Sequence, residues 1–563
     1  MGRKIGFVVA GVLLLGPAAC ELRSGAGSGE SAPPAEAPLA SAAETSPRLL
    51  DDLGDHHHPI TTGSERAQRY FDQGLILTFG FNHEAAINAF QEAARLDPPC
   101  AMCFWGIALA LGPNINAPMG PEAGAQAQAA VERAGRLSAG ASEAERAYIE
   151  ALATRYSADP GADRAALDQA YAEAMRGVQQ AYPDDADAAT LLAEALMDLT
   201  PWDYYTPEGE PREHTGEVLK LLEFVLERDP EHPGANHYLI HAVEEFEPER
   251  AEAAADRLVE IAPDAGHLVH MPSHIYWRVG RYEDAVSVNE AAAAADVAYF
   301  AWCRAPQAYA AGYYNHNLHF IWAAAATEGR SDLALTAARR LEANIPSDEI
   351  ATYPWLEDYL VLPILTLARF GRWDAILAEP PPAPDLPYAT AIWRYARGLA
   401  LLRLERLEEA DAELAELEAI AADPSLGTTI FDPAGGTAAG RLRVGLEHLK
   451  GERAAETGDL DAAVAALEAS VAAQDAMNYI EPPAWYFPVR QALGAVLLSG
   501  DRAVEAEAVY RRDLEQYPAN GWSLYGLSES LEAQGKAADA TWARTGFENA
   551  WARADVELTA SRF

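Results

Sequence analysis

The chain runs to 563 residues, and its 42 basic against 85 acidic side chains give a formal charge of −43. Such a surface repels nucleic acid and anionic membranes and favours cations or basic partners, so nucleic-acid binding is excluded as a class. Alanine and leucine are abundant and β-branched runs scarce, which points to an all-α protein, too long for one compact core.

At the N-terminus, Arg3 and Lys4 precede an apolar run from Ile5 to Leu15 and small residues ending at Cys20. This is the layout of a bacterial export signal, too short to span a bilayer. Pro17-Ala18-Ala19-Cys20 resembles a lipoprotein processing box, with Pro17 where leucine is usual. The resemblance implies a signal peptide over residues 1–19 and lipid on Cys20. It also implies attachment to the membrane in a Gram-negative-type envelope, on the periplasmic side and at the outer membrane. Ordinary cleavage nearby would give a soluble periplasmic protein instead. Residues 20–50 are rich in Ala, Gly, Ser, Pro and Glu and read as a flexible tether. His56-His57-His58-Pro59 then reads as a solvated linker tract or as an arm that folds onto the binding groove of the repeats that follow.

A period of about 34 residues begins after this tract. The unit Ala67–Cys100 has Gly74, Ala86, Phe90, Ala93 and Pro98 at positions 8, 20, 24, 27 and 32. The unit from Gly266 has Gly280 and Ala285 at positions 15 and 20; the unit from Asn315 has Gly329, Ala334 and Pro346 at 15, 20 and 32. Near the C-terminus, Phe487 opens a unit with Gly494, Ala506, Tyr510 and Pro518 at 8, 20, 24 and 32, and Gly521 opens one with Gly535 and Ala540 at 15 and 20. These phrases resemble the tetratricopeptide repeat. They imply a right-handed α-solenoid of helix pairs, in which small residues allow close approach and proline ends the second helix. Proline- and glycine-rich loops at Gly112–Pro121 and Thr200–Glu213 interrupt the period. A third break, Leu377–Pro387, suggests one array over 51–375 and another over 388–563.

Three cysteines remain beside Cys20. In an oxidising compartment Cys100-Ala-Met-Cys103 reads as a short disulfide, with metal ligation or redox chemistry as alternatives, and Cys303 is left over.

Eight of the fourteen histidines lie between His232 and His319. They include His237-Tyr-Leu-Ile-His241, His267-Leu-Val-His270 with His274, and His316-Asn-Leu-His319. Residues three, four and seven apart share a helix face. Tetratricopeptide proteins commonly bind in a concave groove lined by first-helix positions 2, 5, 9 and 12. His267, His270 and His274 take positions 2, 5 and 9 of one unit, and His316 and His319 take 2 and 5 of another. His237 and His241 reach 5 and 9 if the turn at Phe246-Glu247-Pro248 differs by one residue. His232-Pro-Gly-Ala-Asn-His-Tyr-Leu-Ile-His-Ala-Val-Glu244, Gly266-His-Leu-Val-His-Met-Pro-Ser-His-Ile-Tyr276 and Tyr314-Asn-His-Asn-Leu-His-Phe320 further resemble a family of exported bacterial tetratricopeptide lipoproteins. That resemblance implies the fold and no reaction. His83 and His448 stand apart and read as structural.

Two functions compete. The first is a non-enzymatic scaffold whose groove holds a protein or peptide. The second is a metalloprotein in which His237, His241, His267, His270, His274, His316 and His319, with Glu244 seven residues after His237, bind a divalent transition metal such as Zn, Cu or Fe. A buried imidazole bonded to a carboxylate is the plain alternative for any one of them. No catalytic motif stands out: Tyr238 occupies the place where a zinc-protease helix needs glutamate, and Ser273 beside two histidines does not make a triad. Export by lipidation has a direct check: Cys20→Ser is expected to move the protein from the membrane to the soluble periplasmic fraction, whereas an unmutated protein that is already soluble removes the anchor.

Overall fold

The computed structural model describes residues 47–120, 122–302, 309–346, 349–431 and 436–563. The expected leader, Cys20, most of the expected tether and Cys303 lie outside the described residues. Among the described residues there is no strand, only three isolated bridges, and consecutive helices pair along the chain. The architecture is an all-α solenoid of tetratricopeptide-like helix pairs. Its residues divide into two compact units, one of 47–204 with 212–225 and the other of 205–211 with 226–563.

In the first unit, polar caps start the helices where the sequence places them. Ser64 accepts from the Ala67 amide to open Glu65–Phe79, and Asn82 accepts from Ala85 to open His83–Leu96. Ser142 and Glu145 form a reciprocal capping box at Glu143–Ala153. Cys100 and Cys103 are joined in a disulfide at the start of Ala101–Ala110. The histidine tract is neither a solvated linker nor an arm on the groove: His57 and His58 lie on helices of their own unit. His57 Nδ1 lies 2.9 Å from Asp72 and His58 Nδ1 lies 2.7 Å from Asp187, while Gln68 donates to the His58 carbonyl at 2.8 Å. Arg155, fully buried, is neutralised by Asp168 and Asp198, as a buried guanidinium must be.

The second unit carries the remaining helices to Ala537–Ala550. Gly280, Gly329 and Gly535, all at repeat position 15, adopt φ of +82°, +76° and +74°. Each reverses the chain between the two helices of a pair in a conformation that side-chain-bearing residues resist. Pro272, with no amide hydrogen to donate, divides what would be one first helix into Gly266–His270 and Pro272–Val279. The proline-rich segment 377–387 lies within this unit, where the Trp393 indole donates to the Glu379 carbonyl at 3.2 Å.

The same packing device appears near both ends of the chain. Phe90, on a second helix, fills the space that a Cβ on Gly74 or Gly106 would need, at 2.6 and 2.5 Å. Tyr510 does the same between Gly494 and Gly526, at 2.4 and 2.2 Å. In each case an aromatic at position 24 is clasped by its own first helix and by the next one, which sets the spacing between successive repeats. Gly106→Ala and Gly526→Ala are therefore expected to lower stability by about 1–3 kcal/mol through overpacking, read as a fall in melting temperature. Gly177→Ala, where a Cβ meets nothing, is expected instead to stabilise by about 0.4–1 kcal/mol. Equal responses at the three sites would refute the clasp.

Candidate metal centre: a buried histidine and carboxylate cluster

The histidines of the second unit project from the first helices of successive pairs. His237 and His241, one turn apart on Pro233–Val243, have ring centroids 4.8 Å apart, and His267, opening Gly266–His270, comes within 5.0 Å of His237. His270 lies 5.0 Å from His274 on Pro272–Val279 and 4.8 Å from His316 on Asn315–Thr327. The two groups adjoin, His267 being 5.7 Å from His270 and His241 6.0 Å from His274. Within each of the triads His237/His241/His267 and His270/His274/His316, one ligand atom per residue lies within 4.8 Å of the others.

These side chains are interior. His237 and His270 are 0% exposed and His241, His267 and His274 at most 6%, while His316 is half-buried. The expectation that they line an open concave groove is thus corrected. Two segments cover them. Tyr313 packs its ring 4.6 Å from His267, and the stretch around Tyr479 and Glu481 reaches in from the far end of the unit.

His319 leaves the cluster. One turn further round its helix than His316, it stacks on Trp322 at 5.3 Å and meets Tyr359 edge-on. Glu244, by contrast, joins as the sequence suggests: its carboxylate lies 3.3 Å from His241 Nδ1 and 3.0 Å from His274 Nδ1. Two further groups were not legible in the sequence. Glu481 sits 3.1 Å from His274 Nδ1 and accepts from Tyr479 at 2.6 Å, and Asn289 meets His270 Nδ1 at 2.6 Å. Neither stands near a histidine motif in the chain, and no local pattern marks them.

The hydrogen bonds settle the ring orientations. The Asn289 amide nitrogen donates to the Ala285 carbonyl at 2.7 Å, so its oxygen faces His270 and accepts the Nδ1 proton. The lone pair of His270 is therefore on Nε2, which meets Nε2 of His274 at 3.1 Å. His274 has carboxylates on its other nitrogen. Burial alone would lower its pKa, yet the negative charges of Glu244 and Glu481 raise it to about 10. Burial likewise favours the neutral acid form of Glu244, but His274 and His241 overcome it and hold that carboxyl at about 2. Burial, reinforced by neighbouring imidazoles, pushes His267, His270 and His316 well below the usual histidine range.

Asp296 anchors the two helix starts beside this cluster. Its carboxylate packs against Gly266, where a Cβ would lie 2.1 Å from Oδ1, and accepts from Asn317 at 2.8 Å and Tyr309 at 3.0 Å. Gly266 precedes His267 and Asn317 follows His316, so one side chain positions both.

Sequence and structure comparisons bear on the scaffold alone. A tetratricopeptide repeat signature matches residues 67–100. The chain contains a tetratricopeptide repeat. No curated protein matches it in sequence. Among solved structures it is similar to a human IFIT1 dimer with PPP-AAAA, at 10% identity over 86% of this chain and 89% of that chain, with a TM-score of 0.28. It is also similar to the P58(IPK) TPR domain (11% identity, 84% and 99% coverage, TM-score 0.22) and to yeast Tom70 (10%, 86% and 92%, 0.27). Scores this low carry no argument, and the fold rests on the helix pairing itself.

Burial pushes the Asp296 carboxyl up to about 7 against the pull of the hydrogen bonds from Tyr309 and Asn317. The folded state then holds a proton that the unfolded chain, with its aspartates near ~3.9, has released. Stability from this group is complete below about pH 4 and is lost as pH rises towards 7. Asp296→Asn is expected to reduce the fall in melting temperature between about pH 5 and about pH 8 and to melt higher than the unmutated protein at the upper value. An unchanged profile would refute the assignment.

Proposed function

We propose that the protein is a tetratricopeptide-type scaffold that holds a transition metal in its histidine cluster. The observation that carries this reading is the orientation of the rings. Nδ1 of His241, His270 and His274 each faces a fixed acceptor, while Nε2 of His270 and of His274 converge to 3.1 Å. A metal-ligating histidine is held in this way, its outer nitrogen bound to a carboxylate or amide oxygen and the inner one aimed at the ion. Imidazoles suit Zn, Cu, Fe or Ni, and an ion between these rings would take the place of the proton that His274 otherwise carries.

The burial of the same side chains speaks against their touching a peptide laid along the surface. Protein partners of the scaffold would have to meet other residues. In this reading the leader and Cys20 deliver the metal scaffold to the periplasmic side of the envelope, where the acidic surface attracts cations.

Elemental analysis of protein purified without a histidine-affinity step tests the proposal. A transition metal is expected to co-purify or to be retained on reconstitution. His270→Ala is expected to remove most of it, and His448→Ala, whose imidazole bonds Tyr395 elsewhere in the unit, to leave it in place. No bound metal, even after reconstitution, would refute it.

A further inference from the structure

The two imidazole triads follow one design. In the first, counted from the helix start at Pro233, His237 and His241 stand at positions 5 and 9, and His267 at position 2 of the helix that starts at Gly266. In the second, His270 and His274 stand at positions 5 and 9 and His316 at position 2 of the unit that follows. A solenoid places equivalent positions of successive repeats in equivalent surroundings, so a triad built across one repeat boundary is built again across the next. The series ends where the residues stop. Position 9 after His319 is Ala323, and position 2 before His237 is Gly234. This explains why His319 turns away to Trp322.

Six imidazoles also exceed what one tetrahedral ion takes, which is four donors. Glu244 touches both groups, with one oxygen on His241 and the other on His274. Each triad keeps its own third ring on a different helix. We infer, building on the metal reading above, that the cluster comprises two metal sites, one ion held by His237, His241 and His267 and the other by His270, His274 and His316. Each takes a divalent first-row transition ion. Three protein ligands leave a fourth position in each for water or a small exogenous ligand. The second site is walled by Phe320, whose ring lies 5.1 Å from His270, 4.9 Å from His274 and 5.1 Å from His316.

The test is a titration of metal-stripped full-length protein with Co²⁺, following the visible absorption of tetrahedral cobalt together with cobalt bound at equilibrium dialysis. The unmutated protein is expected to take two equivalents. His237→Gln and His316→Gln are each expected to take one, and the double variant none. His319→Gln is expected to keep two. Far-ultraviolet circular dichroism establishes that each variant is folded; if His237→Gln is not, His267→Gln interrogates the same triad. One equivalent in the unmutated protein, or loss of all binding in either single variant, overturns the two-site inference and leaves the metal reading standing. No cobalt bound by the unmutated protein overturns both.

Discussion

A carboxylate taken out of water must be paired, and Glu244, 1% exposed, is paired on both oxygens with imidazoles. The arrangement of the cluster depends on this constraint. Glu244 faces Nδ1 of His241, and Glu481 with Glu244 faces Nδ1 of His274, so the remaining nitrogen of each ring turns away from the acids. Asn289 does the same for His270 with an amide oxygen that is itself committed by its bond to Ala285. Without these acceptors the rings would be free to flip, and the close approach of His270 and His274 would have no preferred sense.

The scaffold contributes spacing. The glycine–aromatic–glycine clasps at Phe90 and Tyr510 show how tightly neighbouring first helices are held to a shared second helix. A helix pair that can move little presents its side chains at a fixed pitch. That fixed pitch lets residues on three successive first helices meet inside one unit. Asp296 adds a local restraint, tying the start of the His267 helix to that of the His316 helix through Gly266 and Asn317.

Much of this was legible in the sequence, and the reason is periodicity. The glycines at position 15 stood out as part of the repeat, and in the structure Gly280, Gly329 and Gly535 make the left-handed reversals between its helices. The histidines at positions 2, 5 and 9 announced a shared face, and six of the seven meet. His319 stays apart because position 5 joins the stripe only when position 9 and the following repeat also supply a partner, and here its ring stacks on Trp322. Burial against a carboxylate was open as an alternative for each histidine, and His241 and His274 take it, but the covering segments could not be named. Whether a helix face lies open or covered depends on segments distant in the chain, and Glu481 is 207 residues from the histidine it touches. The aspartates that receive His57 and His58 were hidden for the same reason: Asp72 and Asp187 belong to other helices and carry no motif.

Glu481 also changes what kind of repeat protein this is. Stacked repeats ordinarily feel only their neighbours, so they can fray from either end and lose terminal units singly. Here the contact between His274 and Glu481 spans most of the second unit, as does the bond from the Trp522 indole to the Ala326 carbonyl across 196 residues. Asp555 likewise returns to the amides of Ser331 and Asp332. Such ties convert a linear chain of nearest-neighbour terms into a cooperative block. The segment around Glu481 cannot leave without admitting solvent to the imidazoles, and during synthesis the cluster stays unsealed until that segment, 207 residues beyond His274, has left the ribosome.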